Sequence, residues 1–305
     1  GMPFGFGISS LSRAILILLV GVAAFDAMGV IVRMLGGTYP ILQISVLRNL
    51  FGVIPAMIIL LAGPGLAKLF QLRSGRHWLL IFLRAASVLM AQMSFYFALT
   101  KIEFATASAL GFTTPFFIAL LSIPVLGHMV GPVRMAAILI GFAGVVTILK
   151  PFSDGFTIRM LLPVFAAFFY ALSSILVRLF PAEIPSATIQ IGQQAITCLM
   201  GLVLLLTIET PVAIASLHDA GLFVLMGVFG GIGVMGLVVS YRMVEPSSLA
   251  PFEYFGIPVS FVLGYIFFQE APFGTLFPGV LFIVGAGILI ILREKRAEQR
   301  ARIPE

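Results

Sequence analysis

The sequence of 305 residues has little charge, since Asp, Glu, Lys and Arg together make up 10% of it. Soluble domains carry about 25% charged residues. Apolar residues make up 60% of the chain, and its mean hydropathy is +1.15. A globule of this composition would have too few polar side chains to cover its surface. The composition therefore excludes an ordinary soluble domain and predicts a protein of the lipid bilayer.

The residue types that carry out catalysis or bind metals are also scarce. The single cysteine, Cys198, excludes a disulfide within the chain and a cysteine-rich metal site. The three histidines are far apart in the sequence, and it contains neither an HExxH motif nor a serine nucleophile elbow. Every lysine lies in a loop or near the end of an apolar run, which excludes a retinal protein. We predict no enzymatic activity, no cofactor and no metal.

Long apolar runs are abundant. Ten runs approach the length of about 20 residues that a transmembrane helix needs. They are too long and too continuously apolar for the strands of a barrel. We expect an all-α polytopic membrane protein with ten transmembrane helices, the first of them retained rather than cleaved. The predicted spans are 13–35, 40–62, 77–99, 104–126, 132–150, 157–180, 186–208, 219–241, 247–268 and 274–292.

The basic residues predict the orientation of these spans. If the N-terminus is cytoplasmic, twelve Lys and Arg residues lie on or near the inner side and five on the outer side. We therefore expect both termini in the cytoplasm and the protein in the inner membrane. The basic residues are scattered over loop ends, which argues against nucleic-acid binding. We expect the basic tail, 293–305, to be solvated and to contact anionic headgroups.

The chain contains an internal repeat. When residues 97–149 are aligned without a gap to residues 240–292, 11 of 53 positions are identical, including Pro115 with Pro258. The repeat predicts two halves of five spans each, 13–150 and 157–292. An odd number of spans makes the second half enter the membrane from the opposite side, so the halves are inverted. Inverted halves are typical of secondary transporters, although a duplication can also simply build a stable bundle.

The stretches that carry this repeat resemble a known family. They are ALTKIEFATASALGFTTPFFIALLSIPVLG in the first half and SYRMVEPSSLAPFEYFGIPVSFVLGYIFFQE in the second, which ends at Glu270. With the five-plus-five repeat, they resemble the EamA-type ten-helix branch of the drug/metabolite transporter superfamily. The resemblance covers roughly residues 13–292. It implies a carrier of small organic metabolites, with the bacterial exporters of amino acids, especially aromatic ones, as the suspected branch. The alternatives are a solute channel and a membrane receptor that does not transport.

Two prolines and two acids interrupt these apolar spans. Pro115 and Pro258 lack an amide hydrogen and leave a carbonyl four residues earlier without its helical partner, so we predict kinked helices that act as hinges. Asp26 and Glu253 are costly in hydrocarbon and are expected to face the bundle interior or water. Each could bind a substrate ammonium group or exchange a coupling proton. The structural alternatives are an ion pair with an arginine such as Arg84 or Arg48, or a protonated acid bonded to a carbonyl.

Further polar residues complete the predicted substrate site. We expect spans 3, 4, 8 and 9, with help from spans 1 and 6, to enclose a central cavity. The polar side chains assigned to it could instead join helices to one another. The predicted partners are a small-molecule substrate, the lipid bilayer and a proton, and the protein is expected to be a monomer or a weak homodimer. Besides Asp26 and Glu253, the predicted substrate-binding residues are Gln92, Tyr96, Thr113, Tyr170 and Tyr254.

The glycine-rich run GVFGGIGVMG at 227–236 superficially resembles a nucleotide-binding loop. It lacks the Lys-Ser/Thr pair of such a loop and lies inside an apolar span. Small residues in transmembrane helices let neighbouring backbones approach closely. The run therefore predicts tight helix packing.

Overall fold

The computed structural model describes residues 9–127, 129–150, 153–154, 157–271 and 273–301. Within these ranges the chain is all-helical, with no strand. Short 3₁₀ segments lie at Leu66–Gln71, Ile158–Met160, Val177–Leu179 and Ala250–Phe255. The α-helices are α1 Ser10–Leu35, α2 Ile41–Ala62, α3 Gly75–Lys101, α4 Phe104–Gly111, α5 Thr114–Leu126, α6 Pro132–Leu149, α7 Leu161–Leu176, α8 Ser186–Ile208, α9 Leu217–Met243, α10 Pro246–Leu249, α11 Gly256–Phe268, α12 Phe273–Leu276 and α13 Gly279–Ala301.

The predicted spans fall on these helices, but two of the apolar helices are shorter than the rest. By length and composition, eight helical segments of the described chain could cross a membrane. This confirms an all-helical multi-pass membrane protein. The predicted spans 132–150 and 274–292 coincide with shorter apolar helices, Pro132–Thr147 and Gly279–Leu289, so the count of ten stays a prediction. Helix α13 continues through the basic segment to Ala301, and residues 302–305 lie outside the described chain.

Serine side chains begin three of the long helices. The first N–H groups of a helix have no partner within it, and a side-chain oxygen just before the helix can accept from them. The Oγ atoms of Ser9, Ser74 and Ser216 accept from the N–H of the residue three positions on, at 3.1–3.2 Å. These caps begin α1, α3 and α9.

Helix α9 lies between α1 and α2, and its glycines face both neighbours. On the α1 side, a Cβ at Gly236 would lie 3.0 Å from the Cα of Gly21. On the α2 side, a Cβ at Gly231 would overlap the carbonyl oxygen of Gly52 and lie 2.9 Å from the Pro55 ring. Only glycine permits backbones to approach this closely. The predicted role of the glycine-rich run in helix packing agrees with these contacts.

Two of the apolar segments are broken near their middle. The first is divided at Phe112 and Thr113 into α4 and α5, and Pro115 lies in the first turn of α5. The Gly111 carbonyl, which Pro115 leaves without an amide partner, accepts from the Thr114 hydroxyl at 2.8 Å. The Leu110 carbonyl accepts from the Thr113 hydroxyl at 2.9 Å and from the Thr113 N–H at 3.2 Å. The threonine hydroxyls thus supply hydrogen bonds to backbone carbonyls, which the hydrocarbon of a bilayer could not supply.

The second broken segment consists of α10, the 3₁₀ segment Ala250–Phe255 and α11. Pro258 lies in the first turn of α11. Phe255 ends the 3₁₀ segment, and it is the repeat equivalent of Phe112 at the shift of 143 residues. Both halves of the chain therefore interrupt a helix at equivalent positions. Whether these prolines act as hinges stays a prediction.

We predict that Gly231→Ala destabilises the protein because the added methyl group has no room beside the Gly52 carbonyl. Overpacking of a well-packed core costs about 1–3 kcal/mol, so the melting temperature of the purified protein in detergent should fall. The matched control is Gly221→Ala on the same helix, where a Cβ meets no atom within 4 Å. That variant should melt at or above the wild-type temperature. Equal melting of the two variants would contradict the proposed close packing.

Candidate functional site

A central cavity lies where the two broken helices meet the rest of the bundle. It holds about 640 Å³ of space free of protein atoms, its opening included. The lining side chains come from six of the predicted spans, namely 1, 3, 4, 6, 8 and 9. They are Val22, Phe25, Asp26, Met28, Phe95, Ser108, Gly111, Phe112, Thr114, Tyr170, Ser174, Leu237 and Glu253.

Two carboxyl groups face this cavity. Asp26 and Glu253 are both only 5% exposed. The Tyr241 hydroxyl donates to Glu253 Oε2 at 2.7 Å, whereas Asp26 Oδ2 is buried without a hydrogen-bond partner. Among the described residues neither acid forms an ion pair with an arginine. A buried carboxyl group without a partner is costly, so Asp26 is prepared to accept a hydrogen bond from a ligand in the cavity.

Aromatic rings form much of the remaining cavity wall. The rings of Phe25 and Tyr170 meet edge to face, with centroids 6.2 Å apart and planes inclined by 64°. Phe95 lies close to the backbone of Gly111, where a Cβ would come within 2.9 Å of its ring. Phe112 lies at the helix break itself. Such rings favour a ligand that presents a flat ring of its own.

The predicted site residues fall into two groups in the structure. Asp26, Tyr170 and Glu253 line the cavity together. The other four are also buried, yet they are not among the lining residues. Their roles in binding stay predictions. They are Gln92, Tyr96, Thr113 and Tyr254.

Each member of this second group is bonded elsewhere in the protein. The Thr113 hydroxyl donates to the carbonyl of Leu110. The Tyr254 hydroxyl donates to the carbonyl of Ile138 on α6 at 3.2 Å. The Tyr96 hydroxyl donates to the Met28 sulfur at 3.6 Å. Met28 itself lines the cavity, so Tyr96 lies directly behind the cavity wall.

Gln92 belongs to a polar network that joins α2 to α3. Its Oε1 accepts from Ser45 Oγ at 2.7 Å and from Asn49 Nδ2 at 2.8 Å. Asn49 Oδ1 in turn accepts from Arg48 Nη1 at 3.2 Å. Arg48 is 1% exposed and donates through Nε to the Met28 sulfur at 3.4 Å. This network holds a buried cation immediately behind the cavity.

Several cavity residues were not among the predicted site residues. Ser108, Ser174 and Thr114 supply hydroxyl groups, and Phe95 and Phe112 supply rings. Ser174 lies four residues after Tyr170 on α7, so both share a helix face. That spacing was the available signal for Ser174. The phenylalanines carried no such signal because the chain has 29 of them.

An ion pair joins the ends of two helices next to the cavity helices. Arg33, near the end of α1, lies 2.7 Å from Glu270, which follows α11. The Arg33 guanidinium also lies over the Phe268 ring, 4.5 Å from its centroid. Both side chains are largely buried. This contact fastens α1 to α11 at one end of the bundle.

These features agree with the family comparison, in which residues 12–150 match the EamA-like transporter family. Residues 12–150 therefore match an EamA domain of the drug/metabolite transporter superfamily. The resemblance predicted from the repeat is thereby confirmed. Members of the family are transporters rather than enzymes.

Curated relatives of this chain are bacterial transporters of several metabolites. A riboflavin transporter of Rhizobium johnstonii is 34% identical over 200 residues, which cover 64% of each chain. An S-adenosylmethionine uptake transporter of Rickettsia felis is 26% identical over 72% of this chain and 73% of its own. A pseudopaline exporter of Pseudomonas aeruginosa is 25% identical over 93% of this chain and 98% of its own.

A protein of known crystal structure also superposes on the chain. The match covers 92% of this chain and 98% of the other, with a TM-score of 0.75 and 21% identity. At that identity the likeness shows the fold alone. It supports the helical architecture and carries no information on the substrate.

We predict that Asn49→Leu lowers the stability of the protein. The change removes one of the buried partners of Gln92 and one of those of Arg48, and such a loss costs about 1–3 kcal/mol. Thermal unfolding in detergent should show the decrease. Ser94→Ala on α3 is the control, because that exposed hydroxyl bonds only the Met90 carbonyl within its own helix. An Asn49→Leu protein as stable as Ser94→Ala would show that the network contributes nothing to stability.

Proposed function

We propose that the protein is a secondary transporter that moves small organic metabolites by alternating access. The observation that carries this proposal is the cavity between the two broken helices, with aromatic walls and two buried carboxyl groups that form no ion pair with an arginine. Broken helices in the middle of a membrane bundle are a recurrent feature of transporter binding sites. A channel or a receptor without transport is the second possibility, and only a carrier shows saturation and counterflow.

The packing of the helices supports two inverted halves. If the halves are exchanged, span 1 becomes span 6, span 2 becomes span 7 and span 3 becomes span 8. The contact of α1 with α9 then becomes that of α3 with α7, and the contact of α2 with α9 becomes that of α3 with α8. All four of these helix–helix contacts are present in the structure. The equivalent breaks at Phe112 and Phe255 follow the same exchange.

We further propose ten spans, with both termini in the cytoplasm of a bacterial inner membrane. The shorter helices Pro132–Thr147 and Gly279–Leu289 supply the fifth and tenth spans. On this threading, the ends of α1 and α11 lie on the outer side. The Arg33–Glu270 pair then closes the outer end of the bundle, and it must separate when the cavity opens outward.

The proposed substrate is a metabolite with a flat heterocyclic ring and hydrogen-bond donors. The ring would contact Phe25, Phe112 and Tyr170, while Asp26 and Glu253 would accept from its donor groups. The relatives named above transport riboflavin or S-adenosylmethionine or export pseudopaline. They give no support to the predicted branch of aromatic amino-acid exporters. The two acids are also the groups that would exchange a coupling proton.

We predict that Asp26→Asn and Glu253→Gln each slow transport while leaving the amount of folded protein near that of the wild type. A hydrogen bond to a charged group contributes about 1.5–3 kcal/mol, so the rate should fall about tenfold or more. Flux into proteoliposomes measures the effect, with riboflavin, S-adenosylmethionine and aromatic amino acids tested with and without a pH gradient.

Glu209→Gln is the matched control for this experiment, because Glu209 is exposed just after α8. Its flux should equal that of the wild type. Wild-type flux by both cavity variants would remove the two acids from the mechanism. Flux that neither saturates nor shows counterflow would replace the carrier with a channel.

The ten-span threading predicts which loops share a membrane face. Met129 and Glu183 should lie on the cytoplasmic side and Ser153 on the outer side, and all three residues are exposed. In a Cys198→Ser background, a membrane-impermeant maleimide applied to intact cells should label Ser153→Cys but not Met129→Cys or Glu183→Cys. Labelling of Ser153→Cys and Glu183→Cys from one face would contradict the inverted halves.

A further inference from the structure

A second pocket lies one helical turn beyond the central cavity. It encloses about 1060 Å³ of space free of protein atoms, open solvent included. Its walls are the end of α5, the 3₁₀ segment after α7, the turn that follows it and the end of α9. Its lining residues are Val125, Leu126, Arg178, Leu179, Phe180, Ala182 and Arg242. We call it the arginine pocket.

One of its two guanidinium groups is held firmly. Arg242 Nη1 donates to the Ile184 carbonyl at 2.7 Å and to Ser186 Oγ at 3.0 Å, and its Nη2 donates to the Pro181 carbonyl at 2.9 Å. These bonds fix Arg242 against the turn between α7 and α8. All three acceptors are neutral, so the charge of Arg242 is not neutralised by them.

The other guanidinium has far fewer contacts. Arg178 donates through Nη1 to the Tyr241 carbonyl at 3.4 Å, which is a long hydrogen bond. It lies close enough to Arg242 for the two charges to repel each other. None of the residues that line the pocket carries a carboxyl group. Two like charges are thus held together in a half-buried pocket whose lining offers no anion.

The arginine pocket is connected to the central cavity through shared elements. Arg178 follows Ser174 by four residues, and Ser174 lines the central cavity. Tyr241 accepts from Arg178 through its carbonyl and donates to Glu253 through its hydroxyl. A solute leaving the cavity along α7 and α9 would therefore pass the two arginines next.

We propose that the arginine pocket binds an oxyanion, the carboxylate or phosphate group of a solute, between Arg178 and Arg242. Guanidinium groups form strong, charge-assisted and often bidentate hydrogen bonds with such groups. The free donors of Arg178 supply the adjustable half of the site, and the fixed Arg242 supplies the other half. The place of this site on the substrate path rests on the proposed transport function, whereas the binding of the anion does not.

The test is the binding of inorganic phosphate to the full chain in a neutral detergent. At constant ionic strength, replacing chloride with phosphate should raise the melting temperature of the wild type. Arg178→Gln should weaken this effect and raise the apparent Kd for phosphate about 10- to 100-fold, which is the loss expected for one hydrogen bond between charged groups. Arg178→Lys keeps the charge and should retain part of the stabilisation.

The matched control is Arg73→Gln, which removes one exposed arginine outside the pocket and should leave the phosphate response unchanged. A second arm replaces phosphate with phosphatidylglycerol in the micelles, using phosphatidylcholine for comparison. Stabilisation by phosphatidylglycerol that depends on Arg178 supports the same site with a lipid headgroup as the source of the oxyanion.

Two results would overturn the proposal. The first is a wild-type protein that neither phosphate nor phosphatidylglycerol stabilises beyond chloride or phosphatidylcholine. The second is an identical response of Arg178→Gln and Arg73→Gln. If Arg178→Gln does not fold, the comparison of Arg178→Lys with Arg73→Gln takes its place, because phosphate stabilises folded proteins in general and only a response that depends on Arg178 identifies the site. These experiments measure melting temperatures and not flux. A failure of the transport proposal, which the flux experiment detects, is therefore distinguishable from a failure of anion binding.

Discussion

A bilayer offers no water to an unpaired backbone group, and every feature of this bundle follows from that constraint. Continuous helices satisfy it at no extra cost. A break in a helix does not, so breaks occur only where side chains or a wet cavity can replace the missing partner. The Thr113 and Thr114 hydroxyls serve the first break in this way. The breaks therefore lie beside the cavity, because a break elsewhere in the bundle would leave backbone groups without a partner.

The same constraint separates the buried charges into distinct environments. Asp26 and Glu253 face the cavity, Arg48 lies behind its wall, and Arg84 lies deeper between α3, α7 and α8. Arg84 donates to the Ser173 carbonyl and to Gln190 Oε1 at 3.4 Å. Ion pairs among these groups would hold the bundle in one state. Without an ion pair to an arginine, the acids can accept hydrogen bonds from a ligand, which is the arrangement that a carrier requires.

Sequence reasoning located the long apolar helices and brought Asp26 and Glu253 to the bundle interior, because both inferences depend on the cost of charge in hydrocarbon. Neutral polar residues carry less information. A glutamine within a span indicates only that its side chain faces protein, and Gln92 contacts Ser45 and Asn49 rather than the cavity. Tyr254 follows Glu253 directly, but it lies in a 3₁₀ segment and points to α6. Local winding of that kind depends on tertiary packing, which a single sequence does not display.

Aromatic rings seated on glycines link the breaks to the surrounding helices. Phe112, at the first break, contacts Gly256 at the start of α11, and Phe255, at the second, contacts Gly287 on α13. Tyr254 lies over Gly141 on α6. A helix that pivots at either break must lift its ring from the opposing glycine. Packed contacts of this kind have discrete arrangements rather than a continuous range. The breaks and their neighbouring helices are therefore expected to move together, which is how one half of the bundle can transmit a change to the other.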